Sequence, residues 1–286
     1  MYSIELKNVS KEYKDFKLSD ISMVVPEGSV VGLIGKNGAG KTTMLKLILD
    51  CIKRNSGEIQ IFGLDNRKAG ETVKEQIGVV WDECAFHETI NVLDINKIMK
   101  HIYKQWNEET YRSYIKRFHL PEKKTIKEYS RGMKMKLSIA TALSHNAKLL
   151  ILDEPTGGLD PVVRNEILDI FMEFMQDESH SILMSSHITS DLEHIADYIT
   201  FIDEGKIIFS ELKDNLLEQH GILKCGAEVF EQLDAKEYIG YKKNAFGYEV
   251  LVKDRFQVKR QVKDALIDGP ALDEIMQFYI EGVKTC

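Results

Sequence analysis

A glycine-rich loop between a short apolar run and a helical pattern constrains the fold of this chain more than any other feature. The run SVVGLIG at residues 29–35 leads directly into KNGAGKTT, after which Met44, Leu47 and Ile48 recur at helical spacing. The sequence therefore predicts a strand, a loop of the pattern G-x-x-x-x-G-K-T and a helix. In such a loop the backbone N–H groups turn toward phosphate oxygens, and the helix adds the positive end of its dipole. We predict a phosphate-binding loop; the alternative is an ordinary tight turn.

Polar side chains at the ends of two further apolar runs fit the chemistry of a nucleotide site. In the loop itself, Lys41 can reach the β- and γ-phosphates and the Thr42 hydroxyl can ligate Mg²⁺. The run LLILDEP predicts a buried strand ending at Asp153 and Glu154, which would hold the metal and activate an attacking water. The run ILMSSH ends at His187, which could donate to the γ-phosphate. The alternatives are solvated strand-end carboxylates and a structural histidine.

The remaining pattern predicts an α/β fold in two parts. The first, at residues 1–217, should be a P-loop NTPase domain with a mainly parallel central sheet, an antiparallel β layer from the N-terminal part, and a helical subdomain at about 83–147. A small α+β C-terminal domain should follow at residues 218–286. Within it, EYIGYKKNAFGYEVLV could form a hairpin and ALDEIMQFYIEG a short amphipathic helix.

The composition argues against several classes of protein. Arginine and lysine total 38 against 45 acidic residues, a formal charge of −7, so no nucleic-acid partner is expected. No apolar stretch approaches the ~20 residues that a membrane-spanning helix needs. The four cysteines are scattered with no C-x-x-C pair, which indicates reduced thiols and a cytoplasmic protein.

Several motifs, in the order and over the length expected of one family, make residues 1–215 resemble the ATP-binding cassette proteins, the motor subunits of ABC transporters. The motifs are Tyr13, GKNGAGKTT, YSRGMKMKLSIATAL, LLILDEPTGGLDP and SSHITSDLE. The resemblance implies an ATPase that uses ATP and Mg²⁺, with Tyr13 stacked on adenine. It assigns the phosphates to Gly35, Lys36, Asn37, Gly38, Ala39, Gly40, Lys41, Thr42 and Thr43. More weakly, the run PALDEI resembles the C-terminal extension of single-cassette exporter ATPases.

The resemblance also implies that a second chain completes the site. Ser130 and the N–H groups around Gly132, together with Asp160, would contact the nucleotide of the opposing chain, so that two chains meet head to tail around two Mg-ATP. Two of these residues have a second, compatible interpretation. Ser130 can cap the helix that follows it, and Asp160 precedes Pro161 at a predicted helix start.

Two positions depart from the family pattern. Asp82 replaces a glutamine that senses the metal and the reacting water; a carboxylate there can still ligate Mg²⁺, directly or through water. Glu83 is the alternative participant. Arg131 replaces the first glycine of the signature segment, and it would either help to neutralise the nucleotide or be solvated. The residues needed for hydrolysis are all present: Lys41, Asp153, Glu154 and His187.

Two classes of function follow from the resemblance. In the first, the chain is a transport motor, peripheral to the inner face of the cell membrane, that drives a separate permease and exports a drug, peptide or lipid-like cargo. Its partner cassette would be a second copy or a similar chain. In the second, it is a soluble ATP-driven switch that acts on ribosomes or DNA. A simple P-loop kinase would leave YSRGM and His187 without a role.

Overall fold

The chain folds into two compact units, Met1–Ser210 and Glu211–Cys286. The computed structural model describes residues 1–68, 70–262 and 265–283. The division lies a few residues before the one predicted after residue 217, because the helix at Lys213–Gln219 belongs to the second unit. The predicted sites all lie in the first unit.

The central sheet carries the site and is mainly parallel, as predicted. Its strand order is β10-β9-β3-β8-β7-β6, and β3 pairs in parallel with β8 and β9, while β7 pairs in parallel with β6 and β8. Every residue of β3, β7 and β8 is buried, which fits the apolar runs VVGLI, LLIL and ILM that these strands contain. The strands are β3 (Val30–Ile34), β6 (Ile77–Val80), β7 (Leu149–Asp153), β8 (Ser181–Ser186), β9 (Tyr198–Asp203) and β10 (Lys206–Leu212).

A second sheet forms the predicted antiparallel layer. Its order is β2-β1-β4-β5 and all three pairings are antiparallel. Alternate residues of β2 are buried, as expected for a sheet that covers the core with one face. The strands are β1 (Tyr2–Glu12), β2 (Lys17–Pro26), β4 (Ser56–Ile61) and β5 (Leu64–Asp65).

The predicted helical subdomain lies between β6 and β7. Side chains start its first two helices, since Asn91 accepts hydrogen bonds from the first turn of α3 and Asn107 does the same for α4. This insertion consists of α3 (Val92–Ile102), α4 (Glu108–Arg117), a 3₁₀ turn (Ile126–Glu128) and α5 (Arg131–Ala142). The other helices of the first unit are α1 (Lys41–Ile48), α2 (Gly70–Lys74), α6 (Pro161–Phe174) and α7 (Thr189–Ile195).

The second unit is an α+β domain with a four-stranded antiparallel sheet of order β12-β13-β11-β14. The predicted hairpin is β12–β13 and the predicted amphipathic helix is α11, so both predictions are confirmed. Its elements are α8 (Lys213–Gln219), β11 (Gly221–Cys225), α9 (Ala227–Glu231), β12 (Tyr238–Asn244), β13 (Gly247–Val252), α10 (Arg255–Gln261), β14 (Leu266–Asp268) and α11 (Leu272–Glu281). Across the described parts of both units, no helix combines the length and hydropathy that a membrane span requires.

Candidate functional site

The glycine-rich loop connects β3 to α1 at the carboxyl edge of the central sheet. Two of its glycines have no room for a side chain. A Cβ on Gly35 would lie 2.3 Å from the carbonyl oxygen of Ile202, and one on Gly40 would lie 2.7 Å from Leu18. Gly40 also has a φ of +114°, which disfavours any other residue there. The loop is therefore pressed against the sheet, and the N-terminus of α1 follows it directly.

A cleft of about 1030 Å³ opens over this loop. It is large enough for a nucleotide, since ligand pockets commonly occupy roughly 300–1,000 Å³. Most of the predicted phosphate and metal residues line it: Lys36, Asn37, Gly38, Gly40, Lys41, Thr42, Thr43, Asp82, Asp153 and Glu154. Glu83, the alternative to Asp82, lines it as well.

Lys41 is almost fully buried at the base of the cleft. Its Nζ donates to the carbonyl oxygen of Gly35 at 2.7 Å and lies 3.2 Å from Glu154 Oε1. The side chain is thus fixed inside the loop by a neutral acceptor and a nearby carboxylate. This arrangement provides a fixed cation where phosphate oxygens would enter.

Asp153, at the end of β7, is held by two hydroxyl groups. Thr42 Oγ1 donates to its Oδ2 at 2.8 Å and Ser185 Oγ donates to its Oδ1 at 2.7 Å. No ion pair to Asp153 is present among the described residues, so its buried charge lacks a cation. A hydroxyl and a carboxylate are suitable Mg²⁺ ligands where substrate phosphates supply the rest. No group of three or more acidic, histidine or cysteine side chains in the described part of the chain could hold a metal alone. The donor set therefore fits a metal that binds together with phosphates.

Glu154 follows β7 in a strained conformation, with a φ of +51°. Its N–H donates to the carbonyl oxygen of Ser185 at 3.1 Å, and its Oε2 accepts the N–H of His187 at 3.1 Å. The Oε1 atom is buried and accepts no hydrogen bond from the described residues. A carboxylate fixed on Oε2, whose Oε1 faces the Lys41 ammonium group at 3.2 Å, can accept a proton from a water molecule once that contact is released.

His187 lies directly after β8, and the structure joins it to Glu154. Its Nδ1 is 2.6 Å from Glu154 Oε2. An ionised carboxylate only accepts hydrogen bonds, so Nδ1 carries the proton in this contact. The imidazole is half exposed and does not line the cleft.

Tyr13 is also placed outside the cleft. It follows β1, its side chain is 44% exposed, and its ring lies near Lys11 Nζ. Asp15 and Phe16 line the cleft instead. The stacking of Tyr13 on adenine stays a prediction.

The three residues predicted to serve the opposing chain lie together, away from this cleft. Ser130 caps α5 by accepting the N–H of Met133 at 3.3 Å. Asp160 caps α6 by accepting two N–H groups at 3.1 Å each. A Cβ on Gly132 would lie 3.7 Å from Val163 in α6, so the starts of the two helices are neighbours. Both capping interpretations are confirmed, and the role in a second chain's site stays a prediction.

The two departures from the family pattern contact each other. Arg131 Nη2 lies 2.5 Å from Asp82 Oδ1. Arg131 was expected either to neutralise nucleotide or to be solvated; in the structure its guanidinium is bound by a carboxylate of the same chain. The pairing joins residues 49 positions apart, which no local pattern indicates.

Sequence reasoning also missed a buried polar cluster around Asp191. This aspartate of α7 is 1% exposed. Its Oδ2 accepts a hydrogen bond from Thr156 at 2.6 Å, and its Oδ1 pairs with Arg164. The cluster ties the segment after His187 to the loop that ends at Asp160. In the sequence Asp191 is typical of a first-turn helix residue, and only the tertiary fold shows its partners.

Comparison with known proteins places the chain in a family. A family model described as "ABC transporter" matches residues 18–157. A lantibiotic transport ATP-binding protein of Streptococcus pyogenes is 37% identical over 214 residues, covering 74% of this chain and 91% of that protein. The bacitracin transport ATP-binding protein BcrA of Enterococcus faecalis is 32% identical over 212 residues, which cover 72% of this chain and 68% of that protein.

Solved structures agree with the fold. The ATP-binding subunit of an ABC transporter has a TM-score of 0.68 at 27% identity and covers 74% of this chain and 91% of its own. A dimeric ATP-binding cassette with bound ADP and Pi has a TM-score of 0.66 at 21% identity, and the match covers 73% of this chain and 98% of that one. At this identity the likeness shows the fold alone. The predicted P-loop NTPase fold is confirmed. From these similarities, this chain belongs to the ATP-binding proteins of ABC transporters and is an ATPase.

Proposed function

We propose that the chain pairs head to tail with a second cassette around two Mg-ATP and drives a separate membrane permease. Its location would be the cytoplasmic face of the membrane, through that permease. The names of the relatives, which refer to lantibiotic and bacitracin transport, support a peptide cargo within the predicted range of drugs, peptides and lipid-like molecules. The observation that carries the hydrolytic part is the position of Glu154 at the cleft: His187 fixes its Oε2, while its buried Oε1 accepts no hydrogen bond from the described residues and lies 3.2 Å from Lys41 Nζ.

Nucleotide binding would rearrange the contacts of Lys41. Its Nζ lies 3.2 Å from Glu154 Oε1. Entering phosphates carry more negative charge than one carboxylate and would compete for the ammonium group. Glu154 would keep its contacts to His187 and Ser185 and so stay oriented as its second oxygen becomes available to water.

Thr42 and Asp153 would hold Mg²⁺, with Asp82 contributing directly or through water. The metal neutralises charge on the phosphates of the reacting nucleotide. Two contacts support this role for Thr42 and Asp153: the Thr42 hydroxyl donates to the Asp153 carboxylate at 2.8 Å, and that carboxylate has no cation beside it among the described residues.

The tautomer of His187 sets a condition on its role at the γ-phosphate. Because Nδ1–H is used by Glu154, Nε2 can donate to phosphate only when the imidazole is doubly protonated. His187 would therefore link Glu154 to the γ-phosphate only as a donor to both.

Ser130, Gly132 and Asp160 would complete the site of the opposing chain. Their position outside the chain's own cleft supports this division of labour. The opposing chain would be a second copy of this chain, giving a homodimer, or a similar cassette, giving a heterodimer. One experiment identifies both this partner cassette and the permease.

The experiment is an affinity purification from detergent-solubilised native membranes, with partners identified by mass spectrometry. The proposal expects a multi-span membrane protein in the eluate, and a heterodimer would add a second cassette chain. Recovery only from the soluble fraction, together with ribosomal proteins or DNA, would refute the transport role and favour the ATP-driven switch.

A further inference from the structure

The ion pair between Asp82 and Arg131 has a position that its contribution to folding does not explain. Both side chains are about half exposed, at 46% and 54%. Exposed ion pairs contribute little to stability because water solvates both charges and the long side chains lose freedom. Its location at the nucleotide cleft points to a functional effect.

Asp82 lines two clefts, and Arg131 lines only one of them. Asp82 lines the phosphate cleft together with Thr42 and Asp153. It also lines a second cleft of about 420 Å³, to which Arg131 and Lys134 contribute. Arg131 does not line the phosphate cleft. The guanidinium that pairs with Asp82 therefore belongs to the second cleft and not to the phosphate cleft.

Arg131 lies beside the turn that follows Glu154. A Cβ on Gly158 would lie 3.3 Å from Arg131 Cζ, and one on Gly157 would lie 3.7 Å from Arg131 Nη2. The guanidinium thus occupies space that a side chain at either glycine would need, and its hydrogen-bond partner there is Asp82.

A carboxylate that is paired with a guanidinium is a weaker ligand for a divalent cation. Its charge is partly neutralised, and one oxygen is occupied by a charge-assisted hydrogen bond. A cation in the cleft attracts the same carboxylate, so the two positive groups oppose each other. We propose that Arg131 is a positioning residue that competes with the divalent cation of Mg-ATP for Asp82, and so raises the Mg²⁺ concentration that the site requires. This inference depends on the proposed use of Mg-ATP.

The test is a Mg²⁺ titration at constant ATP, read by intrinsic fluorescence. Trp81 precedes Asp82 and lines both clefts, so it reports binding without turnover. Arg131→Gln should lower the half-saturating Mg²⁺ concentration by about two- to fivefold, the range expected for an exposed ion pair. Arg131→Lys, which keeps the charge but loses the planar fork, should give a smaller decrease.

Two controls separate the pair from general charge effects. Lys134→Gln removes the same charge from the next cleft residue of α5, whose nearest acidic partner is Glu88 at 3.7 Å, and should leave the titration unchanged. In an Asp82→Asn background, Arg131→Gln should have no further effect. A shift that persists in that background, or an unchanged or higher Mg²⁺ requirement in Arg131→Gln, would overturn the proposal. If the wild-type chain shows no Mg²⁺-dependent ATP binding, the proposed Mg-ATP site itself fails.

Discussion

Asp191 should be one of the most sensitive single positions for the stability of the first unit. Its carboxylate is 1% exposed and both oxygens are used, one by the Thr156 hydroxyl and one by Arg164. Asp191→Asn keeps the size of the side chain and removes its charge. The Arg164 guanidinium would then remain partly buried without a counter-charge.

The expected loss of unfolding free energy in Asp191→Asn follows from the burial of the two charged groups. Removing one partner of a buried ion pair typically costs about 3–5 kcal/mol. Arg164 is 24% exposed and water can solvate part of it, so we expect about 3 kcal/mol, the lower end of that range. Arg164→Met should cost more, up to about 5 kcal/mol, because it leaves the 1% exposed carboxylate of Asp191 without its counter-charge. Because each single variant leaves one unpaired charge and the double variant leaves none, the double variant should cost about 2 kcal/mol less than the sum.

The assay is urea unfolding followed by tryptophan fluorescence. Both tryptophans, Trp81 and Trp106, lie in the first unit, so the signal reports this unit and not the second. Asp169→Asn, at an exposed position of α6, is the matched control and should change the unfolding free energy by less than about 0.5 kcal/mol. Additive costs in the double variant, or a cost for Asp191→Asn equal to the control, would refute the assigned pair.

Two further predictions concern acid stability and adenine recognition. Burial lowers the pKa of His145 below its usual 6.5, so the unfolded chain binds a proton that the native chain lacks. Stability should therefore fall as pH drops below 6.5, by up to about 1.4 kcal/mol per pH unit until the native pKa is reached. His145→Gln should remove this component from unfolding curves measured between pH 5 and 7 by roughly that amount per unit, and an unchanged slope would contradict the assignment. Tyr13→Ala should weaken ATP binding by about two- to tenfold while tripolyphosphate binding stays constant. Equal losses for both ligands would argue against stacking, and Phe16→Ala, at the ring that lines the cleft, tests the alternative ring.

The parts of the fold with a local signal could be predicted from the sequence. The runs VVGLI of β3 and LLIL of β7 are buried throughout, so their composition indicates strands of a covered parallel sheet. The caps Ser130 and Asp160 act within three residues of themselves, which is why short-range reasoning identified them.

The features that could not be predicted from the sequence depend on contacts between segments that are distant along the chain. Asp82 and Arg131 were each identified as unusual, but their pairing needs the fold to bring together the loop after β6 and the start of α5. Asp191 gives no local sign of burial, because the arginine and threonine that satisfy it come from α6 and the preceding loop. Tyr13 was assigned by resemblance, and the loop after β1 places Phe16 at the cleft instead.

The role of Glu154 is the central claim, and one comparison tests it most directly. Wild-type chain and Glu154→Gln, purified together with their partner subunits, are assayed for ATP binding and for phosphate release in the same preparation. Since the amide keeps the shape but does not take a proton from water, ATP binding should persist while phosphate release falls by about 100-fold or more. Phosphate release at the wild-type rate from Glu154→Gln would contradict the account.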